Sequence, residues 1–176
     1  MDDKELFSLI LDKNEEIIKT YRPNKVRTWA NAIVMILLYS VFCVPLLIGA
    51  LWDQGIWTGL ITIITLYAIA IMFTMVLIAL WLNKTVYVIT NKRILIRTGY
   101  IGVDYKSLDF TLLGAMTVSV NWLDKLLHKN TGTLSFGSMA SPMVNNNIAK
   151  FTLSYIKNPY EEYKEIKQII DEHQSK

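Results

Sequence analysis

Two long apolar runs dominate the pattern of hydrophobic and polar positions along the chain, Ala30–Leu51 and Ile56–Leu82. Residues 29–82 carry a single charged side chain, that of Asp53. A helix needs about 20 apolar residues to cross about 30 Å of hydrocarbon, and each run has that length. Since only Trp52–Gly55 separates the two runs, the pattern predicts a transmembrane helical hairpin with a short turn.

Aromatic residues at the ends of both runs support this prediction. Trp29 and Trp81 mark one predicted membrane face, and Trp52 and Trp57 mark the other. Indole rings favour the headgroup level, where one side of the ring is apolar and the other is wet. We therefore predict that these four residues anchor the hairpin at the membrane interfaces.

Basic residues flank the hairpin but are absent from its turn. The nearest four on each side are Lys19, Arg22, Lys25 and Arg27 before the first run, and Lys84, Lys92, Arg93 and Arg97 after the second. Loops rich in Lys and Arg stay on the cytoplasmic side of a membrane. The charge pattern therefore predicts a multi-pass protein with both termini in the cytoplasm.

The segment before the hairpin, residues 1–28, has apolar residues at roughly helical spacing. They are Leu6, Leu9, Ile10, Ile17 and Ile18. This spacing predicts one or two short amphipathic helices with a break near Asp12–Asn14. The segment either lies on the inner membrane face or packs Leu6, Ile10 and Ile17 against the C-terminal domain.

After Leu82 the pattern changes to period two, which is typical of strands. The runs that predict strands are Thr85–Thr90, Arg93–Thr98, Tyr100–Lys106, Ala115–Asn121, Thr133–Gly137 and Ala149–Ile156, and a further short strand within Ser107–Gly114 is left open. Trp122–Lys129 instead has helical spacing and predicts a helical turn, with Trp122 and Leu126 in the core.

A C-terminal helix is indicated by its cap and its apolar stripe. Asn158 suits an N-cap and Pro159 suits the first helical position. The stripe consists of Tyr160, Tyr163, Ile166, Ile169 and Ile170. The pattern therefore predicts that residues 83–176 form an α+β domain of six or seven antiparallel strands and one helix. Closing the strands into a small barrel covered by the helix removes the open sheet edges.

The sequence offers little chemistry. The formal net charge is +3, which falls short of a nucleic-acid-binding surface, and the single cysteine, Cys43, has no disulfide partner. His128 and His173 have no ligand at metal-binding spacing, and no nucleotide-binding, hydrolase or metalloprotease motif occurs. We therefore expect no enzyme activity, no cofactor and no metal. The spans lack Lys, Arg, Glu and His, which argues against a pump or an ion-coupled transporter.

Several short motifs occur in a recognisable order. They are Tyr87-Val88-Ile89-Thr90-Asn91-Lys92-Arg93-Ile94 shortly after a span, then Gly99, Gly132-Thr133-Leu134 and Asn158-Pro159, with Glu15–Pro23 ahead of the first span. In this order the chain resembles the bacterial pleckstrin-homology-like domain preceded by a two-span hairpin. The resemblance implies a split β-barrel of two near-orthogonal sheets capped by the C-terminal helix, at the bacterial cytoplasmic membrane. It implies no activity, although some relatives resemble parts of membrane systems for tolerance of antimicrobial peptides.

Two groups of residues are candidate contact sites. Lys92, Arg93 and Arg97 invite comparison with the headgroup sites of eukaryotic pleckstrin-homology domains. An upright first hairpin would carry its turn about 20 Å from the membrane, beyond a Debye length of about 8 Å, so phosphoinositide binding is not expected. The polar loop Ser138–Asn147 contains Met139, Pro142 and Met143, which either contact a partner or fold onto the barrel.

Together these features favour a non-catalytic, membrane-anchored interaction module that binds a protein partner or itself. Two alternatives stay open: a membrane-stress or antimicrobial-peptide tolerance factor, and a lipid-headgroup-binding module. A small transporter or pore subunit is disfavoured by the uncharged spans.

Overall fold

The computed structural model describes residues 3–54, 56–126, 130–138 and 151–174. Its helices are α1 (Asp3–Phe7), α2 (Lys25–Gln54), α3 (Ile56–Lys84), α4 (Trp122–Leu126) and α5 (Pro159–Gln174). Its strands are β1 (Ile17–Tyr21), β2 (Val86–Thr90), β3 (Arg93–Thr98), β4 (Asp104–Asp109), β5 (Leu113–Ser119), β6 (Thr131–Ser138) and β7 (Phe151–Lys157).

The described strands form two antiparallel sheets. The first has the order β1-β2-β3-β4 and the second the order β5-β6-β7. A 3₁₀ turn, Phe110–Leu112, connects them. Seven strands in two sheets followed by a C-terminal helix confirm the predicted α+β domain.

One of the seven strands comes from ahead of the long helices, where we predicted a helix. Ile17–Tyr21 is extended and pairs with β2, with Thr20 opposite Val88 and Tyr21 opposite Tyr87. The helix prediction is therefore wrong for this stretch. Its β-branched and aromatic residues favour an extended backbone, and β2 supplies the hydrogen-bonding partner. Before β1, the described residues are helical only at Asp3–Phe7.

The long helices leave from β1 and return to β2, its neighbour in the sheet. They lie against each other, and the Tyr67 hydroxyl donates to the Ile36 carbonyl across the pair at 3.5 Å. Among the described residues one helix, Trp57–Lys84, is long and apolar enough to cross a membrane. The crossing of a membrane by Ala30–Leu51 and Ile56–Leu82 as a two-span hairpin stays a prediction.

The predicted turn between the helices begins later than we expected. Helix α2 continues to Gln54, so Trp52–Gln54 are helical. No Pro or Gly interrupts Leu51–Gln54, and a helix continues where nothing breaks it. Gly55 lies outside the described residues.

The core lies between the two sheets and is closed on one side by α5. Ile166 and Ile170 of α5 are buried, in agreement with the predicted stripe, whereas Tyr160 is 61% exposed in the first turn. The buried members of this cluster are Tyr21, Tyr87, Ile89, Ile94, Ile96, Leu108, Phe110, Leu113, Leu134, Phe136, Leu153, Ile156, Ile166 and Ile170. The Tyr87 hydroxyl bridges the sheets by accepting the Ser154 N–H at 3.2 Å.

A second, smaller cluster lies on the other face of the first sheet. It joins Phe7 to Val86, Val88 and Leu95, with Leu6, Leu11 and Ile17 packed against it. Strand β2 is therefore buried on both faces, which is why every one of its residues is inaccessible. Of the two readings left open for the N-terminal segment, packing against the domain is the one observed for Leu6 and Ile17.

Helix α4 presents the opposite face to the one we predicted. Trp122 and Leu126 are 60% and 66% exposed, whereas Leu123 and Asp124 are buried. Placing Trp122 and Leu126 in the core is therefore wrong. The two share a face because they are four residues apart, and Asp124, between them, points inward to an ionic partner on α2.

Strand β4 begins at Asp104, four residues later than the predicted Tyr100–Lys106. Gly99 has φ +155°, and a Cβ at this position would clash with the Gly102 carbonyl oxygen. Only glycine tolerates so close an approach of the backbone to itself. The chain from Gly99 to Val103 is therefore a tight loop.

Candidate functional site at the helix–domain junction

A buried arginine joins the long helices to the β-domain. Asn24 caps α2 by accepting the Arg27 N–H with its side-chain oxygen at 3.2 Å. This places Arg27 in the first turn, where its side chain is 0% exposed. Its Nε donates to Asp124 Oδ1 at 2.5 Å, and its Nη2 donates to Oδ2 at 3.4 Å. The guanidinium carbon also lies 4.8 Å from the centre of the Tyr155 ring.

The Asp124 carboxylate accepts hydrogen bonds from three residues in different parts of the fold. Besides Arg27, the Thr131 hydroxyl donates to Oδ1 at 2.5 Å and the Asn121 N–H donates to Oδ2 at 3.1 Å. The carboxylate thereby connects α2, α4 and β6. A buried charge is tolerated only when it is paired and hydrogen-bonded, so these contacts fix how α2 meets the domain.

This junction was missed by reasoning from the sequence. In the sequence, Arg27 was identified only as one of the basic residues that flank the hairpin. Asp124 was only a part of the predicted helical turn. A carboxylate next to Leu123 is the one hint, and it does not identify a partner 97 residues away.

A cleft of about 760 Å³ opens beside the junction. Residues 20–26 form one wall, and Asn130, Ile156, Lys157 and Glu162 form the other. Three cationic side chains line it, those of Arg22, Lys25 and Lys157, against one carboxylate.

That carboxylate is already engaged. Glu162 Oε2 accepts from Lys19 Nζ at 2.7 Å and from the Tyr21 hydroxyl at 2.5 Å. Burial and the adjacent Glu162 charge raise the pKa of Tyr21 above its usual value of 10, so this phenol keeps its proton. The balance of charge in the cleft is therefore positive.

The three candidate headgroup residues are distributed along the first hairpin. Arg93 and Arg97 lie at opposite ends of β3, about 13 Å apart along an extended strand. Arg97 Nη1 donates to the Lys84 carbonyl at 3.1 Å, close to the end of α3. Lys92 lies half-buried in the turn after β2. Headgroup binding by these three residues stays an alternative that the sequence disfavours.

Arg93 is bound to the N-terminal segment. Its Nη2 and Nε donate to the two Glu15 oxygens at 2.8 and 3.0 Å, and Asp12 lies 3.3 Å away. Thr90 also donates to Glu15, at 2.7 Å. Burial raises the pKa of Glu15, but the hydrogen bonds and the Arg93 charge outweigh it and lower that pKa from 4.5 to about 2. This pair therefore clamps the segment before β1 onto the first sheet.

The predicted interface tryptophans lie at both ends of the helical pair. Trp29 and Trp81 are half-buried near the domain, and the Trp81 ring contacts the Tyr155 ring at 6.4 Å. Trp57 is 79% exposed at the start of α3. The side chain of Trp52 lies outside the described part of the chain, and all four anchoring roles stay predictions.

The predicted partner loop cannot be placed. Met139, Pro142 and Met143 lie outside the described residues. Within the described residues, no group of three or more His, Cys, Asp and Glu side chains is arranged to hold a metal ion.

A comparison with protein families decides the classification. A sequence model described as the bacterial PH domain matches residues 30–172, from within α2 into α5. The chain belongs to the bacterial PH domain family. Comparisons with curated proteins and with solved structures find no match. The bacterial PH domain model begins after β1 and Arg27, so the clamp at Glu15 and the arginine of the junction both lie outside the matched region.

Replacing Asp124 by Asn should destabilise this PH domain strongly. The change leaves the Arg27 charge buried without a counter-charge, and breaking such a pair costs about 3–5 kcal/mol. The free energy of unfolding, measured by pulse proteolysis in urea on the detergent-solubilised chain, checks this. Lys125→Gln, at the exposed neighbouring position, is the control and should have little effect. Equal stability of Asp124→Asn and the unmodified chain would contradict the role given to this pair.

The Glu15 clamp should weaken in acid. A lowered carboxyl pKa stabilises the fold above the unfolded-state pKa and ceases to do so as the pH falls through the folded-state pKa. The stabilisation is about 3 kcal/mol at neutral pH and should disappear between about pH 4.5 and pH 2. Glu15→Gln should remove this pH dependence, as measured by hydrogen exchange of β1 amides. Glu5→Gln, on the exposed first helix, should retain it; a Glu15→Gln curve that follows the unmodified one would refute the clamp.

Proposed function

We propose that this bacterial PH domain protein is a non-catalytic interaction module held at the cytoplasmic face of a membrane by its two long helices, where it binds a protein partner or a second copy of itself. The family supports the first part, because PH domains are generally non-catalytic interaction modules.

The observation that carries the membrane anchor is the exposed surface of α3. Its large apolar side chains are uncovered along most of its length, including Ile61, Ile64, Leu66, Met72 and Phe73, each at least 60% exposed. Soluble proteins rarely expose apolar patches of more than a few hundred Å². The β-domain, in contrast, encloses its own core. This difference supports an apolar environment around the helices.

The placement of the helices supports a single orientation. Because α2 and α3 are inserted between adjacent strands, the N-terminal segment and the domain lie at the same end of the helical pair. Lys25 and Lys84 mark that end. In a membrane the basic end faces the cytoplasm, which would put both termini there.

The anchor is tested by charging the middle of α3. Met72→Arg should reduce the fraction of the chain retained in membranes after alkaline carbonate extraction, because an arginine at the centre of a spanning helix opposes insertion by about 2.5–3.5 kcal/mol. Asn83→Arg, at the polar end of the same helix, is the matched control and should be retained like the unmodified chain. Recovery of the unmodified chain in the aqueous fraction without detergent would reject the anchor.

The same membranes test the interaction. Chemical cross-linking before solubilisation should give a discrete larger species that contains this chain. Cross-linking that yields only the monomer, together with a monomer on sizing in detergent, would reject the interaction module while leaving the anchor intact. A role in stress tolerance rests on family resemblance alone and stays a prediction.

A further inference from the structure

Helix α4 lies beside the first turn of α2. The Arg27–Asp124 contact fixes this position, since both side chains are buried in it. Arg27 precedes the apolar run that starts at Ala30 by three residues, an axial rise of about 4.5 Å. If α2 enters a bilayer at Ala30, α4 is therefore at the level of the lipid headgroups.

The face of α4 opposite Asp124 is apolar and uncovered. Trp122 and Leu126 are one helical turn apart and are 60% and 66% exposed, whereas Leu123 supplies the contact with the core. Neither side chain belongs to either of the two buried hydrophobic clusters. Both project from the outer side of an element whose inner side is fixed to α2.

The loop between β3 and β4 is a second exposed apolar element, and it lies beside the end of α3. Its tip residues Tyr100 and Ile101 are 53% and 87% exposed. The Ile101 carbonyl accepts a hydrogen bond from the ammonium of Lys84, the last residue of α3. Tyr100 also lines a cleft together with Trp81, in the last turn of α3. The tight geometry at Gly99 fixes the loop in this place.

The exposed apolar side chains of α4 thus lie beside the start of α2, and those of the β3–β4 loop lie beside the end of α3. Tyr100 shares a cleft with apolar side chains of both long helices, and the nearby residues Lys25, Lys84 and Lys125 are cationic. Trp and Tyr favour the interface between headgroups and hydrocarbon, and basic side chains there are attracted to anionic lipids. A lipid surface matches this combination of apolar tips and basic rim.

We propose that Tyr100, Ile101, Trp122 and Leu126 form an interfacial collar that inserts into the headgroup layer around the helices and holds the base of the domain on the membrane. The collar rests on the proposed membrane anchor. In this proposal the β-domain itself contacts the bilayer surface, through residues other than Lys92 and Arg93.

Labels at single cysteines in the full chain test the collar. In a Cys43→Ser background, an environment-sensitive fluorophore is attached at Ile101→Cys or Leu126→Cys, both exposed positions that the core does not need. Asp109→Cys, at the far end of β4, is the aqueous control, and Met72→Cys, in the middle of α3, is the bilayer control. Each protein is reconstituted into vesicles of three parts phosphatidylcholine to one part phosphatidylglycerol.

Two quenchers then report the surroundings of each label, a nitroxide carried on the lipid and iodide in the water. The collar predicts that the labels at 101 and 126 are quenched several-fold more by the lipid nitroxide than the label at 109, and several-fold less by iodide. Labels at 101 and 126 that behave like the label at 109 overturn the collar while the membrane anchor stands. Labels hidden from both quenchers also overturn it, because a protein surface then covers them. If the label at 72 is not reached by the lipid nitroxide, the anchor fails and the collar fails with it.

Discussion

The pairing of β1 with β2 is the constraint on which the rest of the molecule depends. These adjacent strands are separated in sequence by both long helices, and Tyr21 lies opposite Tyr87 across the gap. The chain therefore leaves the sheet and returns to it at almost the same point. The position of the helical pair relative to the sheet is therefore fixed, because the hydrogen bonds between β1 and β2 hold both of its ends.

Two ion pairs also hold the segments on either side of β1 in place. Arg27 and Asp124 hold the start of α2 against α4 and β6, so that the helices are joined to the second sheet as well as the first. Glu15 and Arg93 hold the segment before β1 on β3. Buried ion pairs add little net stability compared with apolar packing. Their effect here is to specify geometry, since each charge would lose its counter-charge in any other arrangement of these elements.

The parts of the fold that follow from local pattern could be predicted from the sequence. The β2–β3 hairpin has alternating β-branched residues around Asn91-Lys92, and α5 has Asn158 and Pro159 at its start and an apolar stripe along its length. The apolar length of α3 likewise predicts a helix suited to a membrane. In each case the signal lies within about twenty contiguous residues.

The parts that depend on distant partners could not be predicted. Ile17 and Ile18 suit either a helix or a strand, and the choice is made by β2, about 70 residues later. The spacing of Trp122 and Leu126 shows that they share a face of α4, but only the position of Arg27 determines which face turns inward. Arg93 looked like a free cation because its partner, Glu15, is 78 residues away.

A disulfide across β1 and β2 tests the central claim most directly. In a Cys43→Ser background, Thr20→Cys with Val88→Cys should oxidise readily in membranes, since opposed Cα atoms of an antiparallel pair lie about 4.5–5.5 Å apart, within disulfide reach. The bond would close a loop around both helices and change the mobility of the chain on a non-reducing gel. Val88→Cys with Leu95→Cys, opposed across β2 and β3, is the positive control. Oxidation of the control pair but not of the Thr20–Val88 pair would show that the segment before the helices does not belong to the sheet, and would contradict this account.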